Sequence, residues 1–501
     1  MLVRQRCEFQ LRRISLRRKL LSGCVAAAAI VLMTNADWMA KVSAAGPAPG
    51  GSRTFPGTAD TTQTAAGARD PGPRAGDTNE GGPLSSLSAD QMEYYLDGKS
   101  RFADVDSVSG KVAGETNGGL GPTYNSNSCA GCHSQPAEGG SSPSENPQIA
   151  AASDAGAKNT IPDFIVEDGP VREARFPFLL NANGTVSQSP DGGVHDVFTI
   201  AGRSDAPGCT MAQPNFAQME RLNDIAFRIP TPVFGAGLIE NIPDGTIYAN
   251  MAANAALKHS LGIAGHPNVS ANDGSITRFG WKAQNKSLEM FAGEAYNVEM
   301  GVTNELFMNE RSPAPSSCMF NPTPEDSSNF PASGAQILSD VVAFANFMRF
   351  LAPPAPSVQG IPGSPSAQAI ANGRAIFSQI HCDLCHTPSM TTSSSSFAPA
   401  LNNRAANLFS DLLVHHMGTG LADNIAQGSA GPDEFRTAPL WGVGQRLYFL
   451  HDGRATPASG GLVTAIEDHA SPGSEANAVV NSFEHLTQQQ QQELLSFLRS
   501  L

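Results

Sequence analysis

The sequence predicts a mainly α protein with two similar domains, long loops and little β structure. Apolar residues recur at helical spacing in several segments. Gly and Pro contribute 49 and 36 of the 501 residues, which favours long loops. One short motif, Cys-x-x-Cys-His, occurs twice, which indicates a repeated unit. Hydrophobic residues make up 40% of the chain, enough for a globular core.

Residues 1–44 are predicted to be a signal peptide. A basic segment at residues 12–19 precedes an apolar run at residues 20–33, and small residues lead to a cleavage position near Ala44. The apolar run is too short to span a bilayer comfortably. We therefore expect export to the periplasm, with a retained anchor or a lipid on Cys24 as the alternative.

The charge of the exported chain narrows the choice of partners. Residues 1–44 hold eight Lys/Arg and two Asp/Glu, so their removal changes the formal net charge from −14 to −20. Nucleic acids and anionic lipids need a basic surface, so neither is an expected partner after cleavage. We expect a neutral or basic partner.

Composition divides the remaining chain into four segments. Residues 45–87 are rich in Gly, Ala, Thr and Pro and are predicted to be a disordered tether. The N-terminal domain is predicted at residues 88–351 and begins with a helix capped by Ser88. Residues 352–366 are predicted to be a Pro/Ser/Gly linker, followed by the C-terminal domain at residues 367–501.

Three further helices follow from apolar spacing. The helix at residues 336–351 has a broad apolar face formed by Ile337, Val341, Val342, Phe344 and Phe347. Residues 366–386 are predicted to be one helix that runs into the second motif. At the C-terminus, Thr487 and Gln490 form a capping box. The last helix is expected to bury Leu494, Leu495, Phe497, Leu498 and Leu501, with its glutamine run in solvent.

The two motifs predict covalent haem attachment. They comprise Cys129, Cys132 and His133, and Cys382, Cys385 and His386. Two thiols one helical turn apart can form thioethers, and the adjacent histidine is the proximal iron ligand. Structural zinc would need a second ligand pair nearby, and a thioredoxin-like motif needs no histidine. The sequence therefore predicts two haem c groups in two cytochrome c-like domains.

Two cysteines of the mature chain lie outside the motifs. Cys209 and Cys318 are predicted to form a disulfide, with two unpaired thiols as the alternative.

Downstream of each motif, residues 278–295 and 448–466 share an order of features. Each has an aromatic residue, a Trp or His, a basic turn and an apolar helix. This echo indicates duplication.

Several stretches resemble a known family. They include "GLGPTYNSNSCAGCHSQPAEGG", "RIPTPVFGAGLIE", "RFGWKAQ", "FRTAPLWGVG" and "LHDGRA", spread from about residue 95 to residue 501. The chain resembles the di-haem oxidoreductase family labelled "thiol oxidoreductase" or peroxidase. That family is related to bacterial di-haem cytochrome c peroxidases and to the di-haem enzyme that matures methylamine dehydrogenase.

The distal ligand of the C-terminal haem is sought among His415, His416, Met417, His451 and His469. His469 ends an apolar helix, where its position resembles that of the distal ligand in the related peroxidases. We expect His469 on the iron, with Met417 or His415 as alternatives and His451 as a neighbour of the turn. A haem with two protein ligands is predicted to relay electrons. His381 is expected at the surface.

In the N-terminal domain, Glu299 resembles the acidic residue that the peroxidases place over an open haem. A carboxyl group there can move a proton during O–O cleavage. The alternatives are that Glu299 is an ordinary exposed glutamate, or that Met300 binds the iron instead. Phe291 stands where the peroxidases carry a glutamine.

Trp281 resembles the tryptophan between the two haems, with a packed interface aromatic as the alternative. Candidate partners of the haem propionates are Arg203, Arg278, Arg436 and Arg454.

These features predict an exported di-haem oxidoreductase of peroxidase type. Its partners would be a small redox protein that donates electrons and an oxidant such as peroxide. The alternatives are an electron-transfer cytochrome without catalysis of its own, and a maturation enzyme that oxidises residues of a protein partner. A calcium ion between the domains is expected only by analogy with the relatives.

Overall fold

The computed structural model describes most of the chain after residue 66. The described ranges are residues 67–75, 79–108, 117–154, 156, 161–190, 198–199, 202–311, 313–328, 338–357 and 365–501. The predicted signal peptide and the first part of the predicted tether lie outside these ranges. Residues 67–501 form one structural unit. Within the described ranges, no helix is long and apolar enough to cross a membrane.

Helices dominate the described part of the chain. The α-helices are α1 (Ala89–Ala103), α2 (Cys129–Cys132), α3 (Pro147–Asp154), α4 (Phe216–Arg221), α5 (Ala236–Glu240), α6 (Asp244–Ala252), α7 (Ala255–Leu261), α8 (Leu288–Glu299), α9 (Asp340–Phe350), α10 (Ala367–Gln379), α11 (Gly418–Leu421), α12 (Leu462–Glu467), α13 (Asn477–Glu484) and α14 (Gln488–Ser500). Short 3₁₀ turns include Cys382–Leu384, in the second motif.

The strands are short and form two-stranded sheets. They are β1 (Asp106–Ser107), β2 (Asn117–Gly118), β3 (Thr123–Tyr124), β4 (Glu173–Arg175), β5 (Phe178–Leu180), β6 (Val186–Pro190), β7 (Phe198–Thr199), β8 (Ala226–Arg228), β9 (Met390–Thr391), β10 (Ala405–Ala406), β11 (Val414–His416) and β12 (Glu434–Arg436). The described pairs are β1 with β2, β3 with β7, β4 with β8, β5 with β6, β9 with β10, and β11 with β12. The prediction of a mainly α chain with little β structure is confirmed.

Each half contains a pair of packed helices that approach closely at a glycine. In the N-terminal half, α1 packs on α9, and a Cβ on Gly98 would lie 2.1 Å from the carbonyl oxygen of Ala343. In the C-terminal half, α10 packs on α14, and a Cβ on Gly373 would lie 1.9 Å from the carbonyl oxygen of Glu493. Only glycine allows such contact between the two backbones.

The same aromatic contacts accompany both helix pairs. Phe102 of α1 lies 5.0 Å from Phe347 of α9, measured between ring centroids, and 5.8 Å from His133. Phe377 of α10 lies 5.4 Å from Phe497 of α14 and 6.3 Å from His386. Each motif histidine is thus held near the core of one helix pair.

The echoing segments form the same turn in both halves. A bridge joins Phe279 to Asn285 before α8, and an equivalent bridge joins Phe449 to Ala455 before α12. The residues two positions into these turns, Trp281 and His451, contact each other with ring centroids 6.5 Å apart. The predicted echo is therefore also an echo in backbone structure.

Local predictions at the helix ends largely hold. Ser88 caps α1, and Thr487 forms the predicted capping box at α14. The predicted stripe of the last helix is buried, and the Cys209–Cys318 disulfide is present. The single helix predicted into the second motif is wrong: α10 ends at Gln379, and His381 has a φ of 70°. This left-handed residue cannot continue a helix.

The predicted tether is packed where it is described. Asp70 forms an ion pair with Arg499 of α14 at 2.6 Å, and the backbone N–H of Arg74 donates to the carbonyl of Gly444. Both side chains of the ion pair are almost fully buried. Residues 67–75 therefore lie on the C-terminal half instead of moving freely. In the predicted linker, Ala352 is buried and Ser357 donates to the carbonyl of Ser500.

Candidate haem-binding sites

An apolar cavity of about 230 Å³ lies beside the second motif. Cys382, Cys385 and His386 line it together with His469. The Nδ1 atom of His386 is 2.9 Å from the carbonyl oxygen of Phe409, and the Nδ1 atom of His469 is 2.5 Å from that of Ala465. A histidine that donates from Nδ1 presents a neutral Nε2, the form that binds a metal.

The two imidazoles are suited to ligation on electrostatic grounds too. The pKa of His386 is lowered to about 4, chiefly by burial and in smaller part by the neighbouring His469, although the hydrogen bond to Phe409 opposes this change. Burial also lowers the pKa of His469, although the Ala465 carbonyl opposes this change. Both rings are therefore neutral near pH 7 and close enough to influence each other.

The other candidate ligands lie in different environments. His415 has both ring nitrogens on carboxylates, 2.7 Å from Glu475 and 2.9 Å from Asp411. His416 is 54% exposed and does not line the cavity. Met417 and His451 line it, the latter with its ring stacked on Phe435 at 4.2 Å. The geometry thus keeps His469, Met417 and His451 at the cavity wall and occupies both nitrogens of His415.

His381 is half-buried and lines the cavity, which corrects the expectation of a surface position. Its left-handed backbone turns the chain between α10 and Cys382.

Within the described chain, the cluster with donor atoms close enough to hold a metal ion is Cys385, Asp411 and His415. The calcium ion remains a prediction.

Two arginines test whether the C-terminal cavity fits a haem. Arg436 and Arg446 line the cavity, and Nη1 of Arg436 and Nε and Nη2 of Arg446 have no hydrogen-bond partner among the described residues. Burial lowers the pKa of each guanidinium to about 10. Buried cations normally have an anionic partner. An apolar ring that carries two carboxylates, such as haem, fits these residues.

A second cavity, of about 150 Å³, lies beside the first motif. Cys129, Cys132 and His133 line it. The Nδ1 atom of His133 is 2.9 Å from the carbonyl oxygen of Gly140, as in the other half, and burial lowers the pKa of His133 to about 4. Of the described residues, His133 is the one histidine that lines this cavity.

Glu299 is the last residue of α8 and lines the N-terminal cavity. His469 lines the C-terminal cavity. Asn125 donates a hydrogen bond to the carboxyl group of Glu299. Burial and the neighbouring Glu173 raise the pKa of Glu299 well above its ordinary value, although Arg175 opposes the change. Met300 is packed with its sulfur 3.7 Å from Sγ of Cys129.

Polar atoms without partners also face the N-terminal cavity. Arg175 Nη1 and Arg228 Nε are buried there and have no hydrogen-bond partner in the described part of the chain. These donors fit a carboxylate-bearing haem as well. Phe291 lines the same cavity, beside Gln284.

The other arginines predicted to bind propionates are engaged elsewhere. Arg203 pairs with Asp205, Arg278 with Asp244, and the half-exposed Arg454 with Asp452. None of the three lines either of these two cavities. Of the four predicted arginines, Arg436 therefore lies where a propionate would need it. Sequence reasoning missed Arg446, Arg175 and Arg228, since no motif marks them and their role depends on burial.

Trp281 lines both cavities. The indole is 7% exposed, and its Nε1–H donates to the carbonyl of Ile229 at 3.0 Å. The residue lies between the two motifs in space, although it is far from both in sequence. Next to it, the buried Lys282 and Arg228 both pair with Asp423, which ties the two halves together.

Comparison with known proteins identifies the family. The profile described as "Di-haem oxidoreductase, putative peroxidase" matches residues 181–501. The chain belongs to the di-haem oxidoreductase family. The second motif of this di-haem oxidoreductase lies inside the matched segment, whereas the first precedes it. Family membership implies haem cofactors, in agreement with the two cavities.

Solved structures give weaker similarities to this di-haem oxidoreductase. A structure of hydrazine synthase from Kuenenia stuttgartiensis is 14% identical, with a TM-score of 0.33, covering 90% of this chain and 100% of that chain. A MauG-like protein associated with microbial copper homeostasis is 15% identical, with a TM-score of 0.25, covering 54% and 89%. TM-scores this low support no inference about function. No curated protein matches the chain.

Proposed function

We propose that the chain is an exported di-haem oxidoreductase of peroxidase type with two unequal sites. The proposal rests on a difference between the two cavities: different residue types line them just after the two equivalent turns. His469 lines the cavity of His386, whereas Glu299 lines that of His133. The four motif cysteines would hold the two haems through thioethers.

The C-terminal cavity is suited to electron relay. His386 and His469 would hold the iron from both faces, with Met417 as the alternative to His469. The apolar wall excludes water, and Arg436 and Arg446 would bind the propionates. An iron with two protein ligands has no open position for a substrate, so this site would pass electrons on.

The N-terminal cavity is suited to peroxide. When bound, haem supplies an iron that can deliver electrons to an O–O bond. Reduction of peroxide to two waters takes two electrons, from a small redox donor protein, and two protons. Glu299 is placed to hold and release a proton at its carboxyl oxygen, and Asn125 orients that group. A basic donor protein would suit the acidic exported chain.

The spin states of the two haems test this proposal. We expect one high-spin and one low-spin haem in the ferric protein, and peroxide turnover. His469→Gly should convert the low-spin haem to high spin, because glycine removes a ligand. The control is His381→Asn, which removes a neighbouring imidazole and tolerates the left-handed backbone.

Two results would contradict the proposed function or the proposed iron ligand. If both haems are low-spin in the ferric and mixed-valence forms and peroxide does not react, the chain is an electron-transfer cytochrome. If His469→Gly leaves the spin states unchanged, Met417 becomes the ligand candidate. Both outcomes are read by low-temperature electron spin resonance.

A further inference from the structure

Residues 67–75 form a strap that lies against α14 of the C-terminal half. The backbone N–H of Arg69 donates to Oε1 of Gln492 at 3.1 Å, and Nε2 of Gln492 donates back to the carbonyl of Arg69 at 2.9 Å. Alternate residues of the strap are partly buried: Ala68, Asp70, Gly72 and Arg74. The residues between them are exposed, so one side of the strap faces the protein along this length.

Asp70 joins the strap to two helices. Nε and Nη2 of Arg499, on α14, donate to Oδ1 and Oδ2 of Asp70 at 2.7 and 2.6 Å. The backbone N–H of Leu462, the first residue of α12, donates to the same Oδ2 at 2.8 Å. The side chains of Asp70 and Arg499 are 9% and 2% exposed, so solvent screens this charge-assisted contact only weakly.

The start of α12 depends on an acceptor from outside the helix. The residue before it, Gly461, has no side chain that could accept a hydrogen bond from the first N–H groups. Asp70 supplies that acceptor, and its negative charge suits the positive end of the helix dipole. A Cβ on Gly461 would lie 2.1 Å from Oδ2 of Asp70, so glycine lets the carboxylate reach the helix. A helix of six residues needs such contacts to be stable.

The other end of α12 carries His469 to the C-terminal cavity. The backbone N–H of His469 donates to the carbonyl of Ile466 at 3.2 Å, and its Nδ1 is 2.5 Å from the carbonyl oxygen of Ala465. Leu462, at the Asp70 end, lines the same cavity as His469. The imidazole is thus held to α12, and the strap holds the first turn of α12.

Arg499 extends the connection to a second part of the cavity wall. Its Nη1 donates to the backbone carbonyls of Val443, Gly444 and Arg446, at 3.4, 3.2 and 2.9 Å. Val443 and Arg446 line the C-terminal cavity. Because Asp70 balances the buried charge of Arg499, the strap supports this wall as well as α12.

We infer that the strap is part of the C-terminal site and that Asp70 is a positioning residue, which holds α12 so that His469 reaches the iron. The inference rests on the proposed function, in which His469 is the distal ligand. The strap precedes the N-terminal half in sequence, so the C-terminal site is complete only when this distant segment has docked. Without the bond to Leu462, the first turn of α12 opens more often, and His469 leaves the iron more often.

Amide hydrogen exchange of the haem-loaded protein, read by mass spectrometry, tests the strap itself. In Asp70→Ala, residues 462–469 should exchange about five- to tenfold faster, because loss of a helix cap has an effect of this size. Asp70→Asn keeps an oxygen that can accept from Leu462, so its effect should have the same direction and be smaller.

Asp205→Ala is the matched control for both measurements. Asp205 also forms a buried ion pair with an arginine, Arg203, but it lines neither cavity. Its loss should leave the exchange of residues 462–469 unchanged.

Cyanide binding to the ferric protein tests the consequence for the iron. Cyanide can bind a haem with two protein ligands only after one of them has left, so its rate at the low-spin haem reports how often His469 is released. Asp70→Ala should accelerate this binding by the same factor as the exchange of residues 462–469. Asp205→Ala should bind cyanide at the wild-type rate. Electron spin resonance of the low-spin signal follows the reaction.

Faster exchange together with faster cyanide binding in Asp70→Ala supports the inference. If Asp70→Ala does not fold, Asp70→Asn carries both measurements. Unchanged exchange in whichever Asp70 variant folds would show that the strap does not hold α12. Faster exchange with unchanged cyanide binding would show that the strap does not position His469. Either result overturns the inference without deciding the proposed function, which is judged by the spin states and peroxide turnover of the wild-type protein.

Discussion

Arg446 is a buried cation at the wall of the C-terminal cavity. Its Nε and Nη2 atoms lie at a cavity wall without a hydrogen-bond partner in the described chain. Folding does not normally leave a buried cation unpaired, because desolvation is costly. Under the proposed function, a haem propionate would supply an anionic partner for these donors.

We expect Arg446→Met to lower the reduction potential of the C-terminal haem. Loss of a nearby positive charge disfavours the electron-rich reduced form. A decrease of roughly 60 mV corresponds to about 1.4 kcal/mol for a one-electron couple. Potentiometric titration of the haem-loaded protein measures it.

Arg311→Met is the control for this change, since Arg311 is exposed. It should leave both potentials unchanged. An unaltered C-terminal potential in Arg446→Met would show that the guanidinium is not adjacent to a haem.

The sequence predicted part of the site at the residue scale. The motif cysteines and histidines could be named because spacing alone specifies them. Glu299 and His469 followed from the family resemblance, and each stands a few residues past one of the two echoing segments. Glu173 could not be found this way, because only the fold brings it into the cavity that Glu299, more than a hundred positions away, also lines.

At the element scale, the packing of α10 on α14 shapes the second site. The helices touch at Gly373, and Phe377 on α10 contacts both Phe497 and His386. His386 is therefore positioned by the same interface that closes the C-terminal core.

We expect Gly373→Ala to destabilise the protein by about 2 kcal/mol or more, because the new methyl group would overlap the carbonyl of Glu493. Urea unfolding of the haem-loaded protein measures the free energy. Gly245→Ala on α6 is the control, because a Cβ there meets nothing within 4 Å. It should change stability by less than about 1 kcal/mol. Equal effects of the two substitutions would contradict the close approach.

Helix boundaries were predictable where side chains define them. The cap at Ser88 and the capping box at Thr487 carry local signals and are confirmed. The end of α10 was not predictable, because His381 adopts a left-handed φ that its residue type does not require. That turn is imposed by the packing around the motif.

For the whole molecule, Trp281 is the residue that relates the two sites. It lines both cavities and contacts His451, its counterpart in the other half. With a haem in each cavity, as proposed, a buried aromatic ring between the two haems would offer a short route for electrons.

We expect Trp281→Phe to slow electron transfer from the C-terminal to the N-terminal haem. A tenfold decrease would correspond to about 1.4 kcal/mol in activation free energy. Stopped-flow spectroscopy of the partly reduced protein follows the transfer. Trp441→Phe is the control, because Trp441 is equally buried but lines neither cavity. Equal rates in both variants would assign Trp281 a packing role only.

The sequence by itself determined the two attachment motifs, the repeated turn before α8 and α12, and the family. These features are local, so short-range spacing encodes them. Tertiary structure decided which groups meet. His415 lost its place as a ligand candidate because Asp411 and Glu475 hold both its nitrogens, and β4 brings Glu173 into the cavity that Glu299 lines. Such choices depend on burial and on pairs of charges remote in sequence, which spacing cannot express.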